Sequence, residues 1–253
     1  MRAALLQTTS GIDPAANAGR IVAGLDDARR RGADMAFTPE MSGLLDRDRG
    51  RLLATVRAEA DDPVLEAVRA AAARLGLWVH LGSLALKADD GDDRLVNRGF
   101  VIDAAGAIRA SYDKMHLFDA DLPSGETYRE SASYRAGDEA VLVTTPWGGL
   151  GLSICYDLRF PALYTALSGA GATLLAVPAA FTVPTGAAHW HVLLRARAIE
   201  AGAFVIAAAQ TGRHEDGRAT YGHSLVIDPW GEVLLDMGEA PGVGVVDLDP
   251  ALV

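Results

Sequence analysis

Three residue types that together can break an amide bond stand just after short apolar runs of this chain: Glu40 in FTPE, Lys114 in SYDKMH and Cys155 in GLGLSICYDLRFP. A thiol that attacks a carbonyl carbon needs a base to take its proton and a positive or N–H-rich pocket to receive the oxyanion. Glu40 can supply the first and Lys114 the second, and the Tyr156 backbone N–H beside the sulfur is a further donor. Cys155 is the only cysteine, so it forms no intramolecular disulfide and either fills core space or does chemistry. Each residue also has a plainer reading, since lone thiols pack in cores and Glu and Lys coat surfaces. Spacing along the chain does not by itself bring the three together.

The elements that would have to position them are readable from periodicity and turn chemistry. Leu150–Ile154 is short, apolar and closed by turn-prone residues, which predicts a buried strand delivering Cys155 at its C-terminal end and a sharp exit to a helix near Pro161. Ligands of parallel sheets bind in the crevice beyond such strand ends. Met35–Thr38 places Glu40 in the same way, and Ile108–Tyr112, after the turn Ala104–Gly106, places Lys114. Around them the sequence predicts a strand at Ala3–Gln7, a helix at Asn17–Arg31 stopped by Gly32, and a helix at Val64–Leu75 with Asp62 as N-cap and Gly76 as stop. Trp78–Leu86 and Gly99–Asp103 read as strands separated by the acidic turn Asp89–Asp93. His116–Gly137 is a long polar segment of the kind that tends to be functional. A hairpin is expected at Ala140–Thr144 and Leu150–Ile154, then a helix at Pro161–Leu167, a strand at Thr173–Val177 and a helix at Ala187–Ala201. Strands at Phe204–Ala209, Ser224–Ile227, Val233–Asp236 and Gly244–Asp247 complete a single α/β domain, a layered sandwich with no repeat or linker.

With 253 residues, half of them hydrophobic, the chain can build one large core. Its formal charge of -10 excludes a nucleic-acid footprint, and any anionic substrate must be held by local arginines against that field. No apolar run reaches membrane-span length and Met1–Gln7 is too short for a signal-peptide core, so a cytoplasmic protein is expected. No metal or other cofactor is expected either. His189 and His191 are two apart on a predicted helix and face different ways, the remaining histidines form no ligand cluster, and Gly148, Gly149 and Gly151 make no phosphate fingerprint. Arg159, four residues past the cysteine, either clamps a substrate carboxylate or pairs with an acid. Arg195 and Arg197 with Glu200 read as an ion-paired helix or subunit face, and Tyr156 and Thr182 as pocket lining.

The segments FTPE, YDKMHLFDADLP, GLSICYDLRFP and AHWHVLLRARAIE resemble the four signatures of the nitrilase, or carbon–nitrogen hydrolase, superfamily. PAAFTVPTGAAHW, AAAQTGRHEDGRATYGHS and VIDPWGEV most resemble its Nit amidase branch. The resemblance implies a four-layer αββα sandwich spanning 1–253 as one domain, and a homodimer formed through the helix face that bears the residues after the cysteine. Members usually continue past the position of Val253 with a basic tail. It further implies the triad Glu40, Lys114 and Cys155, with Glu130 in YRES as an accessory carboxylate holding Lys114 and water. The implied reaction is cofactor-free hydrolysis of a small linear carboxamide, through a thioester, to carboxylate and ammonia. An α-keto-acid amide is the expected substrate; N-carbamoyl hydrolysis and a non-catalytic subunit of the same fold are the more distant readings. For the site itself, burial is expected to raise the Glu40 pKa against the pull of Lys114, and Lys114 to favour the thiolate.

Overall fold

The computed structural model describes residues 1–88, 93–121 and 125–253. The acidic turn expected at Asp89–Asp93, Asp93 excepted, and Pro123 and Ser124 lie outside them. In chain order the strands are β1 (Arg2–Gln7), β2 (Met35–Phe37), β3 (Trp78–Lys87), β4 (Leu95–Ile102), β5 (Ile108–Asp113), β6 (Asp119–Asp121), β7 (Thr127–Arg129), β8 (Leu142–Thr145) and β9 (Gly148–Leu152). They continue as β10 (Ala172–Ala176), β11 (Phe204–Ala207), β12 (Thr211–Arg213), β13 (Ala219–Tyr221), β14 (Leu225–Ile227), β15 (Val233–Asp236) and β16 (Gly242–Asp247). The helices are α1 (Pro14–Arg30), α2 (Arg49–Thr55), α3 (Pro63–Leu75), α4 (Pro161–Gly169) and α5 (Val183–Ala201).

Two six-stranded sheets, ordered β16-β1-β2-β3-β4-β5 and β15-β14-β11-β10-β9-β8, form the middle of the molecule. Strand alternation decides what each sheet face meets. In β1 and β2, Ala3, Leu5, Met35 and Phe37 pack against the second sheet, with Leu150, Leu152 and Leu175 in the same cluster. The intervening Ala4, Leu6 and Ala36 pack under α1 and α3, against Ile21, Leu25, Val68 and Ala72. Helices α4 and α5 cover the outer side of the second sheet through Leu163, Leu167, Trp190 and Leu194. The four layers run α, β, β, α, as the sequence implied.

Local chemistry sets the helix ends. Asp62 accepts the Val64 and Leu65 N–H groups at 2.9 Å, Pro63 opens α3, and Gly76 closes it in the left-handed region at φ 59°. Asp13 and Pro14 start α1 earlier than its apolar periodicity suggested, and Thr182 caps α5 four residues before the expected start. Apolar periodicity marks the buried face of a helix, whereas its first turn is marked by the cap.

One register differs from expectation at the point that matters most. The β8–β9 hairpin pairs Thr145 with Gly148, so its turn is only Pro146–Trp147 and β9 ends at Leu152. Ser153 and Ile154 therefore lie beyond the strand, and Cys155 opens a 3-10 turn, Cys155–Arg159, with φ 51°. The short α2 and the hairpins β6–β7 and β12–β13 carry no periodic signal of their own and were not foreseen. Among the described residues, no helix is long and apolar enough to cross a membrane.

Candidate active site

Glu40, Lys114 and Cys155 reach one another from three separate strand ends. After β2, the Thr38 N–H donates to His80 O at 3.0 Å, the Gly82 N–H to Thr38 Oγ1 at 3.0 Å, and the Met41 N–H to Ser83 Oγ at 2.9 Å. These bonds lay the Glu40 loop directly on β3. Gly82 is required there, because any Cβ would collide with the Thr38 and Pro39 carbonyl oxygens. Lys114, just past β5, is held by its N–H to Asn97 O at 2.9 Å, and Cys155 by its N–H to Pro178 O at 2.9 Å. Left-handed backbone at a non-glycine residue is strained, and here it aims the sulfur out of the turn.

The Lys114 Nζ donates to Glu40 Oε1 at 2.9 Å and to both oxygens of Glu130, at 2.9 and 3.1 Å. Glu40 is 4% and Lys114 2% exposed, so this is charge held out of water. Each further lone pair has a donor. Asn97 Nδ2 binds Glu40 Oε1 at 2.9 Å and reaches Glu130 Oε1 at 3.4 Å; the Ala180 N–H binds Glu40 Oε2 at 2.9 Å; the Phe118 N–H binds Glu130 Oε2 at 2.6 Å. Cys155 lines the same cavity as Glu40 and Lys114, close enough for the thiol and the Glu40 carboxylate to act on each other electrostatically.

The electrostatics reverse the expectation for Glu40; Lys114 does favour the thiolate, as expected, but is outweighed. Burial pushes the Glu40 carboxyl up, but the Lys114 ammonium, with the Cys155 thiol and the Asn97 amide, outweighs it and holds Glu40 below its ordinary value. The Cys155 thiol is pushed well up, by burial first and by the Glu40 charge second, and Lys114 does not offset them. Lys114 resists its own desolvation because Glu130 and Glu40 hold it charged, well above its ordinary value. The resting trio is thus a neutral thiol beside a carboxylate that is held by an ammonium. Glu40 is set up to accept a proton, and no standing thiolate is needed.

Behind the sulfur lies a second buried carboxylate that sequence reasoning passed over. Asp157 accepts the Ile154 N–H at 2.8 Å, Tyr112 OH at 2.7 Å, the His116 N–H at 2.9 Å and His116 Nδ1 at 2.6 Å. It ties the Cys155 turn to β5 and to the residue after Met115, while Arg197 Nε of α5 holds Leu158 O at 3.0 Å. Asn97 was also missed. Its signal was a polar residue at a core position of an apolar strand, which calls for a buried partner.

The trio and Glu130 open into a cavity of about 540 Å³. Thr182 lines it, as expected. Tyr156 and Arg159 are not among the lining residues. The Tyr156 ring packs 5.1 Å from that of Phe118, and the Arg159 guanidinium lies 5.6 Å from both the Tyr156 and Phe181 rings, with a nitrogen 3.3 Å from His189 Nδ1. Away from the cavity the histidines do cluster, contrary to expectation. His191 of α5 and His223 share the Asp236 carboxylate at 3.1 and 2.9 Å, and one ligand atom from each of the three residues lies within 4.8 Å of the others. Those hydrogen bonds give one nitrogen of each ring a carboxylate partner, and the residues are too far apart in the chain for their meeting to be read from spacing.

Fold and site together define a hydrolase-type αββα sandwich built around a cysteine, a carboxylate and an ammonium. The family profile of the carbon–nitrogen hydrolases matches residues 2–253, and the chain belongs to that family. It is 42% identical over 251 residues to a Synechocystis protein named deaminated glutathione amidase, covering 98% of this chain and 91% of the relative. A human protein of the same name is 40% identical over 249 residues, 97% of this chain and 76% of the relative. Among solved structures, the C. elegans NitFhit protein superposes with a TM-score of 0.92 at 39% identity over 99% of this chain, which spans 61% of that longer one. An amidase from Nesterenkonia sp. AN1, described with acrylamide added to its active-site cysteine, superposes at 0.85 with 29% identity, covering 98% of this chain and 93% of that one.

Proposed function

We propose that this chain is a cysteine amidase acting on deaminated glutathione, the tripeptide glutathione with its α-amino group replaced by a keto group. The observation that carries the chemistry is the Glu40 carboxylate, which takes a hydrogen bond from the Lys114 ammonium at 2.9 Å in the lining of the cavity that Cys155 shares. The relatives named above support the substrate.

In the proposed cycle Glu40 takes the Cys155 proton as sulfur attacks the amide carbon, and the oxyanion rests between Lys114 and the Tyr156 N–H. Glu40 hands its proton to the leaving nitrogen as the C–N bond breaks, leaving a thioester. Water then enters, gives a proton to Glu40, and attacks the thioester. The acid leaves, and the proton returns from Glu40 to sulfur. Glu130 keeps Lys114 in place throughout. In deaminated glutathione the scissile carbonyl is joined to the cysteinyl nitrogen, so the leaving group is a dipeptide amine. Release of ammonia, expected from the sequence, applies only to short ω-amides such as 2-oxoglutaramate.

Those short amides share the α-keto acyl end and are the competing substrates. Dipeptide release from deaminated glutathione and ammonia release from 2-oxoglutaramate, followed with the purified protein, separate the two readings. A higher kcat/KM for the longer substrate is expected; equal or better turnover of the short one overturns the proposal. A cytoplasmic role in clearing a damaged metabolite goes with this reading. So does a homodimer through the outer face of α5, supported by Val192, Ile199 and Trp230, which are 69, 54 and 88% exposed. Trp230→Asp should then shift the sedimenting species to monomer.

A further inference from the structure

The depth of the cavity and its mouth carry opposite charge. At the base one ammonium faces two carboxylates. At the mouth Arg47, Arg49 and Arg218 join the lining, in a molecule whose formal charge is -10. Asp46 and Glu126 line it too, but the four arginines there, these three and Arg129, outnumber them. The Asp46 side chain is fully buried and is taken up by Arg51, through Nε and through NH2 at 2.8 Å. Arg218 spends its Nε on Asp216 at 2.6 Å, which fixes the guanidinium on the β12–β13 hairpin. Arg47 is exposed and comes from a separate part of the chain, and Arg47 and Arg218 act electrostatically on the Tyr128 hydroxyl together with the Glu126 carboxylate, which also lines the cavity. Two guanidinium groups from separate elements in the lining of one cavity can receive a planar anion.

The route from the reacting centre to that receptor is a single wall. Leaving Glu40, the chain runs through Met41, Leu44 and Leu45, all buried and all lining the cavity, and emerges at Arg47. In the proposed cycle Glu40 protonates the departing nitrogen, so the leaving-group side of the substrate lies toward this wall. A cavity of about 540 Å³ is more than a short keto-amide fills. It sits within the range of roughly 300–1,000 Å³ typical of sites that enclose larger ligands.

Resting on the function proposed above, we infer that Arg47 and Arg218 form a second subsite that binds the carboxylate at the far end of the leaving group. The enzyme thereby selects amides whose amine half ends in an acid. The acidic base of the cavity repels that same carboxylate, so one charge pattern sets both affinity and direction of entry.

The test compares deaminated glutathione, its C-terminal carboxamide analogue and 2-oxoglutaramate on the wild type and on Arg47→Ala, Arg218→Ala and Arg47→Lys. The expected result is a fall on the order of tenfold in the kcat/KM preference for deaminated glutathione over 2-oxoglutaramate in each alanine variant, carried by KM. Wild type should lose a similar factor on the carboxamide analogue, and the alanine variants should no longer distinguish acid from carboxamide. Arg47→Lys should recover part of the preference. Circular dichroism checks that Arg218→Ala, which also loses the Asp216 contact, remains folded; Arg47, being exposed, carries the test if it does not. Equal losses on long and short substrates, or a wild type indifferent to the terminal carboxamide, overturn the subsite while leaving the amidase reading intact. A wild type that hydrolyses 2-oxoglutaramate but not deaminated glutathione overturns both.

Discussion

Two buried carboxylates stand on either side of Cys155 and have opposite tasks. Asp157, behind the sulfur, is met by four donors and is closed off from the cavity; its hydrogen bonds join the nucleophile turn to β5. Glu40, in front, shares one ammonium with Glu130 and opens on the cavity that Cys155 also lines. Both are nearly inaccessible to water. What separates scaffold from reagent is whether a carboxylate's partners can exchange a proton with a ligand, and burial alone does not decide that.

That contrast can be broken by experiment. Cys155→Ala should lower turnover by at least ~10⁴-fold with little change in thermal unfolding; surviving activity would remove the nucleophile from the proposal. Glu40→Gln keeps the shape but not the base, and kcat should fall about 10³-fold. Asp157→Asn should do the reverse. It loses about 3 kcal/mol of stability in a denaturant titration, because a donor replaces an acceptor among buried N–H and O–H groups, while kcat stays within about tenfold where the protein is folded. If Asp157→Asn instead lost turnover at full stability, the division between the two carboxylates would be wrong.

The pH dependence sharpens the same comparison. Glu40 is held below its ordinary value of about 4.3, so its contribution to stability is complete above that value and is lost as pH falls through the depressed one. Lys114 is held well above its ordinary value of about 10.4, so its contribution is complete below that value and is lost only as pH rises through the elevated one. The Cys155 thiol is likewise held above its ordinary value of about 8.5, so the trio predicts a plateau in stability between about pH 5 and 8, with Glu40→Gln reducing the slope on the acid side. The smallest effect belongs to a carboxylate with neither task. Asp62→Ala, at the start of α3, should cost about 1 kcal/mol and leave kinetics alone.

Sequence alone went far here because the signals it carries are local. Alternation in β1 and β2, the Asp62 cap and the Gly76 stop each depend on residues within a turn or two, and the structure keeps them. The same holds for Glu40, Lys114 and Cys155 as chemically able residues after strands. Boundaries slipped where apolar character ran past the hydrogen-bonded ladder, as in β9, where Ser153 and Ile154 are buried but unpaired with a neighbouring strand.

Which way the site's protons lean was settled only by packing. Glu40 meets Lys114 across 74 residues and Ala180 across 140, and those long-range contacts turn a carboxylate expected to rise into one held down. The same distance in the chain hid Asp157 behind the sulfur, the sharing of Asp236 by two histidines, and the presence of Arg47 and Arg218 in the lining of one cavity. Composition and periodicity report what a residue can do within its own element. The field it experiences is the sum over neighbours that only the folded chain supplies.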